Sequence, residues 1–217
     1  MYVALGHVWT IRGGRADGKR IVDVCLTLAA APLIFPMIVM LALFVWLQDG
    51  HGPFHRQERI GRNGERFRIW KLRSMSPDAE RRLAVLLRQD PALARQWRDA
   101  RKLRHDPRVT PVGRFLRRYS LDELPQVINI LRGEMSLVGP RPVTAEELCS
   151  HYGESGARAY YRVRPGVTGL WQVMGRNERT YADRVSFDKL YVEGRSPWLD
   201  MCILRRTVLV VLRGNGC

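Results

Sequence analysis

Lysine is scarce in this chain of 217 residues, since only four of its 36 cationic side chains are lysines and the rest are arginines. Acidic residues are also in deficit: 21 Asp and Glu leave a formal net charge of +15. Because the planar arginine fork suits phosphate oxygens, this charge predicts a phosphate-bearing partner, namely a nucleic acid, a nucleotide or an anionic lipid. A GC-rich genome would explain the preference for arginine over lysine equally well, but the net charge still needs a partner.

Paired cysteines, internal repeats and low-complexity tracts are lacking as well. The four cysteines, at positions 25, 149, 202 and 217, are far apart and form no CxxC pair, so they indicate neither a zinc site nor a disulfide scaffold. The hydrophobic share of 46% is too high for a disordered chain. The length fits one domain with an appendage and excludes two large domains.

One long apolar run dominates the N-terminal part of the chain. Residues 24–47 are 24 residues without a charge, and as a straight helix they would extend ~36 Å, beyond the ~30 Å hydrocarbon layer of a bilayer. A secretory signal peptide fits less well, because its apolar part is usually ~7–15 residues and a small-residue cleavage site should follow it. The run therefore predicts a membrane helix.

Two prolines and the flanking charges argue against a simple span. Pro32 and Pro36 predict a kink or break near residues 31–36. Basic residues flank the run on both sides: Arg12, Arg15, Lys19 and Arg20 before it, and Arg56, Arg59 and Arg62 after it. The positive-inside rule then places both ends in the cytosol. We predict a re-entrant helical hairpin over residues 19–48, between a cytosolic segment 1–18 and a cytosolic domain 49–217. A kinked spanning helix is the alternative.

The remaining patterns predict an α+β fold that is mainly helical, with a short β element. Alternation and turn signals indicate a small hairpin or an extended segment over 54–71. Helical spacing indicates helices over 77–104 (with the pattern resuming after Asp90-Pro91), 112–118, 120–131 (ending at Gly133) and 198–212, and 160–177 is expected to be an ordered loop. The basic residues around the apolar stripe of 77–104 suggest an amphipathic helix on a membrane surface, or a helix packed on the protein's own core.

Adjacent carboxylates open the helical pattern over 120–131. Asp122 and Glu123 lie where backbone N–H groups favour negative charge and also bind anions. Ser120 and Glu123 have the spacing of a capping box, which would give Glu123 a structural role. Alternatively, the helix begins at Pro125 and the two acids lie in the turn before it.

Several arginines near this pair in the sequence could offset negative charge there. Arg117 and Arg118 precede the pair, Arg132 follows the helix, and Arg141 stands between two prolines. A carboxylate beside a phosphate is repulsive unless cations or a divalent metal offset both charges. Arginines and Mg²⁺ would do so.

Three long motifs then carry a family resemblance. They read GPFHRQERIGRNGERFRIWKLRSM (52–75), DPRVTPVGRFLRRYSLDELPQVINILRGEMSLVGPRP (106–142) and RPGVTGLWQVMGRN (164–177). Together with the KRIVD stretch at 19–23, they resemble the bacterial sugar transferase family, the monotopic phosphoglycosyl transferases, over nearly the whole chain from residue 19.

This resemblance implies an enzyme that moves a sugar 1-phosphate from a UDP-sugar to polyprenyl (undecaprenyl) phosphate and releases UMP. The reaction is the first membrane step of exopolysaccharide or glycoconjugate synthesis, and it implies the bacterial inner membrane with the catalytic domain on the cytosolic face. The long 77–104 region looks like the subgroup that uses UDP-glucose or UDP-galactose. Membrane lipids are implied partners, nucleic acid is not, and a homodimer is left open.

The resemblance also implies roles for single residues. Asp122 maps onto the nucleophile that attacks the β-phosphorus and forms an aspartyl phosphosugar. Glu123 would assist with metal coordination or proton handling, and both acids would hold Mg²⁺. Lys71, Arg73 and Arg141 match substrate-binding positions near the site.

The membrane segment has its own implied residues. Lys19 and Arg20 would meet lipid phosphates, and Pro32 would mark the helix break. This chain has Ala31 before Pro32, where the family often has Ser, whose hydroxyl can satisfy freed backbone groups. A membrane-tethered nucleic-acid-binding protein, suggested by the charge of +15, is the competing hypothesis from another class, although no nucleic-acid-binding motif supports it.

Overall fold

The computed structural model describes residues 18–100, 103, 106–174 and 180–214, and this part of the chain is mainly helical with short strands. The helices are α1 (Gly18–Asp49), α2 (Ala79–Gln89), α3 (Pro91–Ala100), α4 (Pro111–Arg118), α5 (Val127–Arg132), α6 (Ala145–Glu147), α7 (Gly153–Tyr161), α8 (Leu170–Val173), α9 (Tyr181–Gly194) and α10 (Pro197–Leu212). The strands are β1 (Phe54–Ile60), β2 (Arg66–Leu72), β3 (Ser136–Val138) and β4 (Gly166–Thr168). The predicted mainly helical α+β class is confirmed.

Helix α1 covers the predicted membrane segment, and by length and composition it could cross a membrane. It continues through Pro32 and Pro36, so the helix is not broken there, and the re-entrant arrangement stays a prediction. A stripe of buried residues follows one face (Asp23, Thr27, Ile38, Leu41 and Val45), whereas large apolar side chains elsewhere on α1, such as Leu33 and Val39, are exposed. Exposed apolar surface of this kind is what a lipid environment would cover.

The chain forms two compact units. The first consists of the chain up to Ala31, Glu58–Ile69 and Val127–Thr207, and the second consists of Pro32–Gln57, Trp70–Gln126 and the chain from Val208. The boundary in α1 falls between Ala31 and Pro32.

The core of the second unit joins the C-terminal half of α1 to the strand and helix that follow. Leu41 and Val45 of α1 pack with Leu72 of β2 and Leu116 of α4. Helix α4 begins where Thr110, in an extended conformation, accepts a hydrogen bond from the Gly113 N–H and Pro111 occupies the first helical position. This packing fixes the end of β2 in the second unit.

A parallel strand pair organises the first unit. Ser136 of β3 pairs with Gly166 of β4, and Val138 pairs with Thr168. The chain leaves β3 at Gly139, which approaches the β4 backbone so closely that a Cβ atom there would lie 2.5 Å from the Arg164 carbonyl oxygen. Only glycine fits this contact.

Several local predictions are confirmed and two are corrected. The hairpin β1–β2, helix α4, helix α10 and the helix end at Gly133 (φ 85°) agree with the sequence patterns. The pattern over 77–104 forms two helices, because Pro91 starts α3 and the Asp90 carboxylate accepts hydrogen bonds from the Ala92 and Leu93 N–H groups. The region 160–177 includes β4 and α8 and is not simply a loop, and residues 175–179 lie outside the described part.

Substituting Gly113 tests the packing of α4 in the second unit. A Cβ atom at this position would lie 1.9 Å from the Ser74 carbonyl oxygen, so Gly113→Ala must displace backbone and should destabilise the protein by roughly 1–3 kcal/mol. Gly52→Ala is the matched control, because a Cβ atom there meets nothing within 4 Å. Thermal unfolding in a neutral detergent should show a lower Tm for Gly113→Ala alone; equal Tm values would contradict this packing.

Candidate active site

The two adjacent carboxylates lie in a single 3₁₀ turn, Leu121–Gln126, which precedes helix α5. Asp122 is buried at 9% exposure, and Pro125 lies inside the turn. The alternative in which the pair precedes the α-helix is therefore confirmed, although the helix begins at Val127 and not at Pro125. Ser120 has a φ of 55°, in the left-handed region, so it does not have the extended conformation of a helix N-cap.

Strand β2 brings Lys71 to this pair. The Lys71 Nζ atom donates a hydrogen bond to Glu123 Oε1 at 2.8 Å and lies 3.9 Å from Asp122 Oδ2. All three side chains are largely shielded from solvent. The ammonium therefore offsets part of the negative charge of both carboxylates. A substrate-binding role for Lys71 stays a prediction.

Arg73, two residues farther along, makes different contacts. Its Nη1 atom lies 2.6 Å from Asp49 Oδ2, and its Nε donates to the Gly52 carbonyl oxygen at 2.8 Å. These contacts tie the end of β2 to the C-terminal end of α1 and the turn after it. A substrate-binding role for Arg73 stays a prediction.

Arg117 is a further cation of the second unit, on the last turn of α4 just before the pair in sequence. Its Nε donates to Ser74 Oγ at 2.8 Å. Ser74 in turn accepts the Thr110 N–H with its carbonyl oxygen at 3.1 Å. The segment that follows β2 is thereby fixed to α4.

Arg141 belongs to the first unit, in the Gly-Pro-Arg-Pro loop after β3. Backbone bonds hold this loop on both sides: Gly166 N–H donates to the Pro140 carbonyl at 2.8 Å, and Ile60 N–H donates to the Val143 carbonyl at 2.9 Å. Its phosphate-binding role stays a prediction.

A buried polar network lies behind the Arg141 loop. Arg184 of α9 donates to the Arg141 carbonyl oxygen at 3.5 Å and lies 3.8 Å from the Glu147 carboxylate, which Arg59 also approaches at 3.4 Å. Tyr152 donates its hydroxyl to Asp188 Oδ2 at 2.6 Å. Burial raises the pKa of Asp188 to about 6, although the hydrogen bond from Tyr152 and the positive charges of Arg184 and Arg141 lower it. This network supports the backbone of the loop that carries Arg141.

The residues predicted at the membrane helix also lie in the first unit. Lys19 forms an ion pair with Asp200, and Arg20 donates to the backbone carbonyls of Ile130 and Leu131, the latter at 3.1 Å. Pro32 is exposed within α1. Contacts of Lys19 and Arg20 with lipid phosphates stay predictions.

Sequence reasoning missed three polar residues that the structure uses internally. Arg184 and Asp188 lie one turn apart on α9, and Asp23 accepts hydrogen bonds from Ser136 Oγ at 2.7 Å and from the Leu137 N–H at 3.3 Å. Asp23 had a sequence signal, since a single acid interrupts the apolar pattern at 21–47. The spacing of Arg184 and Asp188 resembles any exposed ion pair on a helix and gave no such signal.

Asp188 should make the stability of the protein depend on pH. Its pKa is about 6 in the folded state and near the ordinary Asp value of 3.8 in the unfolded state. Between those pH values the folded protein therefore holds a proton that the unfolded chain has lost. Raising the pH through this window therefore removes stability. The Asp188→Asn variant has no such proton to lose. As the pH rises from about 4 to about 6, its Tm should therefore increase relative to the Tm of the unchanged protein.

The matched control for this measurement is Asp78→Asn. Asp78 is exposed, and its hydrogen bond from Arg82 lowers its pKa, so this variant should show no such gain. Parallel Tm-against-pH curves for Asp188→Asn and the unchanged protein would contradict the shifted pKa.

Comparison with known proteins shows which family this chain resembles. A family model described as "Bacterial sugar transferase" matches residues 15–214. The UDP-galactose-lipid carrier transferase of Erwinia amylovora is 45% identical over 198 residues, which are 91% of this chain and 41% of that protein. The exopolysaccharide production protein ExoY of Rhizobium meliloti is 45% identical over 204 residues, 94% of this chain and 88% of that protein.

The name of a third relative states both of that protein's substrates. The UDP-glucose:undecaprenyl-phosphate glucose-1-phosphate transferase of Caulobacter vibrioides is 39% identical over 199 residues, 88% of this chain and 68% of that protein. The chain thus spans most of ExoY but about two fifths of the Erwinia protein. These matches give no support to the nucleic-acid-binding alternative. With a family model matching from residue 15 to residue 214, the chain belongs to the bacterial sugar transferase family.

Proposed function

We propose that this protein transfers hexose 1-phosphate from a UDP-hexose to undecaprenyl phosphate through a covalent intermediate on Asp122. The observation that carries the proposal is the buried pair of Asp122 and Glu123 beside Lys71. Relatives whose names contain UDP-galactose or undecaprenyl phosphate and glucose 1-phosphate support the class of both substrates.

In the first half of the reaction, an Asp122 carboxylate oxygen attacks the β-phosphorus of the UDP-hexose. The bond from that phosphorus to the bridging oxygen breaks, and UMP leaves with the electron pair. In the second half, a phosphate oxygen of undecaprenyl phosphate attacks the same phosphorus and releases the Asp122 carboxylate. The covalent intermediate lets one site serve a water-soluble donor and a membrane lipid in turn, which gives ping-pong kinetics.

The geometry favours Asp122 over Glu123 as the nucleophile. Lys71 Nζ hydrogen-bonds Glu123 directly at 2.8 Å, whereas its 3.9 Å distance to Asp122 is a longer ionic contact. Glu123 is therefore the more tightly held by this ammonium. Lys71 also lowers the repulsion between the pair and an incoming pyrophosphate, because its positive charge lies beside both carboxylates.

Mg²⁺ fits the donor set of this turn. Among the described residues no cluster of three or more His, Cys, Asp or Glu side chains could hold a metal by itself. Mg²⁺ is commonly held by one or two carboxylates together with substrate phosphates, and Asp122 and Glu123 offer these carboxylates. Bound there, Mg²⁺ would neutralise charge on the phosphoryl oxygens.

Arg141 and Arg73 are proposed to assist in binding the donor phosphates. The Arg141 backbone is fixed by the flanking loop bonds and by Arg184, so little backbone freedom remains to be lost when its guanidinium binds phosphate. An arginine fork can pair with two phosphate oxygens at once. Arg73 would need to share its guanidinium between Asp49 and the substrate.

The proposed membrane placement follows the same reaction. Undecaprenyl phosphate carries its phosphate at the bilayer surface, and α1 is long and apolar enough to enter the bilayer. We propose that α1 re-enters on the cytosolic side of the inner membrane, where UDP-sugars are made. Its exposed apolar side chains would then face lipid.

Release of UMP tests the nucleophile. The protein, purified in a neutral detergent with Mg²⁺ and undecaprenyl phosphate, should release UMP from UDP-glucose or UDP-galactose. Asp122→Asn should lower turnover by about a thousandfold or more, because the amide is a poor nucleophile for phosphorus.

Asp78→Asn is the matched control, since it makes the same chemical change at an exposed carboxylate of the same unit. It should keep full turnover. An Asp122→Asn protein with normal Tm and undiminished UMP release would rule out the proposed nucleophile.

A further inference from the structure

A basic pocket lies beside the first turns of α1 in the first unit. Its cationic lining residues come from α1 and from three other places in the chain, namely Lys19, Arg62, Arg162, Arg164 and Arg195. Its remaining walls include Asp23, Ser136, Val138 and Tyr191. The reaction proposed above uses none of these as a catalytic group.

The acids near this pocket are bound within the protein. Asp23 is buried and accepts hydrogen bonds from Ser136 and Leu137. Asp200 pairs with Lys19 and accepts the Tyr191 hydroxyl hydrogen bond at 2.8 Å. Arg164 also donates a hydrogen bond, to the Gly133 carbonyl oxygen at 2.8 Å. Five cations against these two acids leave the pocket with a net positive charge, and arginine forks match phosphate oxygens.

The first turns of α1 place this pocket next to apolar surface. Lys19 and Asp23 line the pocket, whereas Ile21 and Val22 between them are 55% and 54% exposed. Because a helix rises 1.5 Å per residue, the basic lining and the start of the exposed apolar surface lie within about one helical turn of each other. A helix that enters a bilayer with this arrangement holds the pocket at the level of the lipid headgroups.

We propose that this pocket binds the phosphate of an anionic glycerophospholipid of the membrane that α1 enters. The family resemblance implied contacts with lipid phosphates for Lys19 and Arg20; in the structure Lys19 pairs with Asp200 and Arg20 binds backbone carbonyls. We place the headgroup contact on Arg162, which follows α7, and on Arg195, which follows α9; both are exposed arginines of the pocket. This assignment does not depend on the transferase activity.

Thermal unfolding with short-chain lipids tests this proposal without measuring activity. The full chain in a neutral detergent would be titrated with dihexanoyl phosphatidylglycerol, dihexanoyl phosphatidylcholine or inorganic phosphate, and Tm followed by tryptophan fluorescence. Phosphatidylglycerol at about a hundred times its Kd should raise Tm by roughly 5 °C or more. Phosphatidylcholine, whose headgroup is neutral overall, and inorganic phosphate should raise it much less.

Three double variants show where phosphatidylglycerol acts. Arg162→Gln with Arg195→Gln removes two exposed pocket arginines and should abolish the shift caused by phosphatidylglycerol. The control, Arg66→Gln with Arg158→Gln, removes the same charge from exposed arginines of the same unit and should keep the shift. Arg162→Lys with Arg195→Lys, which keeps the charge but loses the forks, should give a smaller shift than the unchanged protein.

The outcomes separate the sources of phosphate. A shift that phosphatidylglycerol causes and that only the pocket variants lose would support the proposal. An equal shift with inorganic phosphate would assign the pocket to a free anion and overturn the lipid assignment. An equal shift with phosphatidylcholine, or a shift that survives Arg162→Gln with Arg195→Gln, would overturn it too.

Discussion

The contact of Lys71 with two adjacent carboxylates is the interaction on which the candidate site depends. Asp122 and Glu123 share one 3₁₀ turn and are largely shielded from solvent, so their like charges would repel without a nearby cation. Lys71 reaches them from the end of β2. Leu72 beside it packs against Leu116, which fixes the strand end, and the core of the second unit thereby holds the compensating charge in place.

The first unit also holds buried charged side chains, and there a larger polar network compensates their charges. Its buried cations and anions, including Arg184, Glu147 and Asp188, lie behind the Gly-Pro-Arg-Pro loop and support its backbone. Such networks are costly to bury unless their members are hydrogen-bonded. The network holds the backbone of this loop in one conformation. We infer that this places Arg141 for binding a phosphate.

Sequence reasoning was most successful where the signal is local. The hairpin, helix α4, helix α10 and the helix end at Gly133 follow from alternation, helical spacing and glycine conformation, and the resemblance located Lys71 near Asp122 and Glu123. The parallel pairing of β3 with β4 was missed, because strands of three residues carry little periodicity and their pairing joins distant segments. The contacts of Lys19, Arg73 and Arg184 were missed too, since each partner lies more than 20 residues away in the chain.

Trapping the intermediate tests the central claim most directly. The purified protein would be mixed with UDP-glucose or UDP-galactose and Mg²⁺ in the absence of undecaprenyl phosphate, and its intact mass measured after rapid denaturation. Our proposal predicts a gain of one hexose phosphate, located on Asp122 by peptide fragmentation and discharged when undecaprenyl phosphate is added. Turnover with no such adduct at any time, or an adduct on another residue, would contradict it.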